Sequence, residues 1–92
     1  MTDTASPPAD AHVLAEVLDL RAARPLHEML VAHRGADLEL DASEVRRLGG
    51  LCLQVLLSAV ATWTRDGRRL SFTNPSPAFI EGLERLGVAP CA

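Results

Sequence analysis

Polar and apolar positions change rhythm several times along this 92-residue chain, and each change predicts an element. Residues 1–11 are Pro, Ala, Asp and Thr for the most part and show no period, so they read as a disordered N-terminal tail. The run "HVLAEVLDL", 12–20, is dense in Val and Leu and predicts a strand. Asp19 either ends that strand or caps the next element. In "RAARPLHEMLVAHRG" the spacing becomes helical: Leu26, Met29, Leu30 and His33 fall on one face. Pro25 suits the first turn, and Gly35 suits the position just past the end. His33 and Arg34 sit in the last turn, where positive charge complements the helix dipole. In "ADLELDAS", 36–43, Leu38 and Leu40 alternate with Asp37, Glu39 and Asp41. That predicts a short strand with one wet face, at a sheet edge or on an open face.

A second helix is expected from about Gly50 to Arg65. Leu53, Leu56, Leu57 and Val60 form one stripe and are expected to pack on the sheet. Leu51, Gln54, Ser58, Thr62 and Arg65 form a more polar stripe, expected to face outward. "RDGRR" turns around Gly67, and "LSFT", 70–73, predicts a strand. "NPSP" starts a helix with Ser76 as N-cap and Pro77 at N1. Phe79, Ile80, Leu83 and Leu86 form its apolar face, and Gly87 stops it. The final "VAPCA" reads as a frayed end. The order β-α-β-α-β-α predicts an α/β sandwich, a mostly parallel sheet with crossover helices packed on it. A fourth strand is available from a split of residues 12–20, or at the end. One domain over 12–88 is expected, between tails at 1–11 and 89–92.

Composition narrows the function. Apolar residues make up 48% of the chain, but Trp63, Phe72 and Phe79 are the only aromatics, so the core is aliphatic. A domain this small buries only about 60% of its unfolded surface. The formal net charge is -3 and no basic stripe appears, which argues against nucleic acid as a partner. All nine basic residues are Arg. Genome composition explains that; bidentate recognition of carboxylate or phosphate is the sharper alternative. Cys52 and Cys91 do not form a disulfide framework, which suits a reducing cytoplasm. The first residues have no signal-peptide pattern. The uncharged run Leu48 to Thr64 falls short of the roughly 20 apolar residues of a membrane span, so no direct membrane insertion is expected.

The stretch "EVRRLGGLCLQVLL", 44–57, carries the functional argument. It reads as a strand-to-helix turn, the place where a phosphate or reactive hydroxyl often sits. Yet the turn itself holds Gly49, Gly50 and Leu51 rather than Ser, Thr or Asp. Free N–H groups at a helix start favour an anion; a tight turn alone would also explain Gly-Gly. No Walker pattern, GxGxxG or nucleophile elbow is present. Leu51 opens the outward stripe, as a contact for a partner or as cover for the neighbouring loop. No Cys or carboxylate stands at metal-ligand spacing from His27 or His33, which read as helix-surface residues. Cys52 has no recognised Cys-His arrangement, and a buried thiol is usually inert. No metal, cofactor or enzymatic activity is expected.

From Asp37 to Leu57 the chain resembles the STAS domain, the fold of anti-sigma-factor antagonists and of sulfate-transporter tails. The family pattern is a strand, Asp-Leu-Ser-x-Val, two residues, an apolar residue, then Asp-Ser-Ser-Gly-Leu opening a helix. Here stand Asp41, Ala42, Ser43, Glu44, Val45, Arg46, Arg47, Leu48, then Gly49, Gly50, Leu51, Cys52 and Leu53, without gaps. "LDLRAARPLHEM" is similar to the start of the family's first helix, and "DGRRLSFTNPSPAFIEGLERLGV" to its closing strand and helix. The family's aspartate falls on Gly49, and its two hydroxyl residues on Gly50 and Leu51. The second hydroxyl is the one a kinase phosphorylates in switching members, and Leu51 cannot take phosphate.

The resemblance implies a non-enzymatic, bacterial, cytoplasmic regulatory module that binds a protein partner. Short STAS-like chains of this Arg-Arg-Leu-Gly-Gly type are similar to those accompanying chemotaxis histidine kinases. The expected docking surface is Arg46, Arg47, Gly49, Gly50, Leu51, Gln54 and Ser58, and the expected partner is a histidine kinase or related ATPase-domain regulator of a two-component pathway. Two alternatives stand beside it: a STAS subunit on the ATPase of a lipid-transport ABC system, and an anti-sigma-factor antagonist phosphorylated elsewhere, with Ser43 the nearest hydroxyl. A homodimer through the outward stripe is also open.

Overall fold

The computed structural model describes residues 10–87. Five strands and three α-helices follow one another: β1 (Asp10–Val13), β2 (Val17–Leu18), a 3-10 turn (Leu20–Ala22), α1 (Ala23–Ala32), β3 (Leu38–Asp41), β4 (Arg47–Leu48), α2 (Gly50–Arg65), β5 (Leu70–Thr73) and α3 (Pro77–Arg85). The main sheet has the order β1-β3-β5 and is parallel throughout. The fold is the expected α/β sandwich, with helices packed on that sheet.

At the start of the chain one expectation shifts and one alternative, the split of 12–20, is realised. The first strand begins at Asp10, so Asp10 and Ala11, expected in the tail, pair with Leu38 and Glu39. The run 12–20 also splits, and its second part, β2, leaves the main sheet. It pairs in parallel with β4, Val17 with Arg47 and Leu18 with Leu48. Residues 88–92, with Cys91 and the expected frayed end, lie outside the described residues.

The alternation in β3 has a clear cause. Leu38 and Leu40 are buried, while Glu39 and Asp41 are half-buried on the other face. β3 is the central strand, so its wet side belongs to an open sheet face, not to an edge. Val13, Ser71 and Thr73 share that face by register.

α2 has the predicted bounds, but its buried arc is rotated. Cys52, Leu53, Leu56, Ala59 and Trp63 are buried, whereas Leu57 and Val60, expected on the sheet, are 45% and 37% exposed. α1 packs beside α2 and draws the arc toward its own side, so Leu57 and Val60 fall outside it. The Trp63 indole donates to the Ala36 carbonyl (2.8 Å), fixing the end of α2 to the loop that leads into β3. In α3, Phe79 is buried and Ile80 and Leu83 are half-buried. Leu86 is exposed because the helix has already ended at Arg85.

Candidate functional site

The turn into α2 is held from three sides. From β2 and the residue before it, the Glu16 carbonyl accepts from the N–H of Arg46 (2.7 Å) and of Arg47 (3.2 Å), and the Leu18 carbonyl accepts from Gly49 (2.9 Å). From the 3-10 turn, the Asp19 carbonyl accepts from the Cys52 thiol (3.2 Å). From α3, Gly82 presses on Leu48: a Cβ at position 82 would lie 2.9 Å from the Leu48 Cβ. Only glycine allows α3 to approach β4 this closely.

Gly49 and Gly50 have different reasons. Gly49 is extended (φ -94, ψ 165), and its carbonyl accepts the first helical bond from Leu53 (3.0 Å). A Cβ there would come within 3.2 Å of the Leu18 carbonyl oxygen. The close backbone approach read from Gly-Gly is thus to the protein itself. Gly50 is exposed, and a Cβ on it would meet nothing within 4 Å. Gly49 is the N-cap of α2 and offers no side-chain acceptor, so none caps the helix N-terminus.

The chemistry around the turn is quiet. Burial pushes the Cys52 thiol above its ordinary value, and the Asp19 carboxylate adds to this, which holds the sulfur in its less reactive protonated form. Asp19 also caps the 3-10 turn, its carboxylate accepting from the N–H of Arg21 and Ala22. Ser43 is exposed and engaged locally: its N–H donates to the Asp41 carboxylate (2.8 Å). Hydrogen bonding from Ser43, hydroxyl first and N–H second, holds the Asp41 carboxyl below its usual range. No group of three or more His, Cys, Asp or Glu residues able to hold a metal occurs among the described residues.

Of the residues singled out in the sequence, Leu51, Gln54 and Ser58 come together along one wall of a groove of about 350 Å³ between α1 and α2. Val55, Ala59 and Trp63 continue that side inward, and Thr62 extends the wall. The facing wall is His27, Leu30, Val31 and Arg34 of α1 and its C-terminal end. Arg46, Arg47, Gly49 and Gly50 do not line the groove; they precede it at the turn. Arg46 and Arg47 are exposed, with Arg46 3.8 Å from the Glu16 carboxylate. The α1 wall was missed in the sequence. Its one available signal is Val31, an apolar residue off the Leu26–Leu30 stripe, and it is 58% exposed. At the far end of the groove Arg34 makes a two-pronged pair with Asp66, the residue that follows α2 (2.9 and 3.3 Å). That guanidinium holds the Asp66 carboxyl below the usual range.

A family model described as "Mlab, STAS domain" matches residues 3–90, nearly the whole chain, and the protein belongs to the STAS domain family. STAS domains are regulatory, protein-binding modules of the anti-sigma-factor antagonist type. No match was found among curated proteins or among solved structures. No described helix is long and apolar enough to cross a membrane.

Proposed function

We propose that this chain is a non-enzymatic docking module that binds its protein partner without phosphorylation at the usual family position. The carrying observation is Leu51. It occupies that position, is 48% exposed, and forms one wall of the α1–α2 groove beside Gln54 and Ser58. A large apolar side chain in the first turn of a helix, over a groove, offers contact area rather than a hydroxyl. Arg46 and Arg47 flank the same turn from outside the groove.

The partner in this reading carries an ATPase domain, and two kinds fit. One is a signalling histidine kinase of a chemotaxis or related two-component pathway. The other is the ATPase of a lipid-transport ABC system, and the Mlab description of the matching family model favours it. Co-purification of the tagged chain with candidate kinases and with ABC ATPases, beside Leu51→Asp, separates them. Loss of the partner in the variant supports this surface; retention at wild-type level removes it. An antagonist switched at Ser43 predicts a Ser43 phosphopeptide after incubation with kinase and ATP, and mass spectrometry decides it.

A further inference from the structure

We draw no further inference here: the strongest candidate, the apolar groove between α1 and α2, has its Arg34 already paired with Asp66, and nothing in the structure shows what covers it.

Discussion

Two strand-to-helix turns lie side by side in this molecule and are built by opposite rules. The turn into α3 is closed. Ser76 is buried, its hydroxyl accepts from the Phe79 N–H (3.0 Å) and donates to the Val45 carbonyl (2.6 Å), and Pro77 occupies the first helical position. The turn into α2 has no side-chain cap, an exposed Gly50 with open space above it, and an exposed Leu51. The first turn joins secondary structure and spends its polar groups on the fold. The second is equally well anchored from behind, through Leu18, Asp19 and Gly82, but keeps its outer side free of internal bonds. Rigid support with an unengaged surface is what a binding element needs, because little ordering cost remains to be met on association.

Breaking the closed turn gives the largest expected effects. Ser76→Ala removes a cap and leaves the buried Val45 carbonyl without its donor, a loss of about 2–3 kcal/mol, seen as a lower denaturant midpoint. Gly82→Ala forces a Cβ against Leu48 and is expected to cost about 1–3 kcal/mol, read from thermal unfolding. At the open turn, Leu51→Asp is expected to weaken partner binding tenfold or more while stability moves by no more than about 0.5 kcal/mol. The new carboxylate sits in the first turn of α2, where the dipole favours it. Equal losses of binding and stability would show that Leu51 is a core residue after all.

Closing the open turn has smaller effects. Gly50→Ala has room and is expected to add about 0.4–1 kcal/mol by restricting the unfolded chain, measurable by urea titration. Gly49→Ser supplies a cap but crowds the Leu18 carbonyl, so its net effect is expected to be within a few tenths of a kcal/mol. A larger gain there would mean that β2 yields easily.

The capped turn was fully legible in the sequence, because Ser76, Pro77 and Gly87 are local signals with local consequences. The bounds of α2 were legible for the same reason. Its orientation was not: Leu53, Leu56, Leu57, Val60, Val55 and Ala59 surround most of the helix with apolar groups, and only the position of α1 decides which are covered. β2 and β4 were missed as a pair because two residues each show no alternation, and their partner lies about 30 positions away. The turn into α2 was singled out through its likeness to a family pattern. The second wall of the groove, with Val31 and Arg34, exists only once two helices have packed.

The parallel pairing has a consequence for how the chain reaches this state. Asp10 meets Leu38, Leu38 meets Leu70, and Val17 meets Arg47, so among the described residues every ladder joins residues about 30 positions apart and none is a hairpin from which to begin. Each pairing must close a long loop before any contact rewards it, which places the domain among slower folders for its size. β3 takes part in both ladders of the main sheet and is therefore the strand on which assembly has to wait. Substitutions at Leu38 and Leu40 are expected to slow folding, while those at the exposed groove leave the folding rate unchanged.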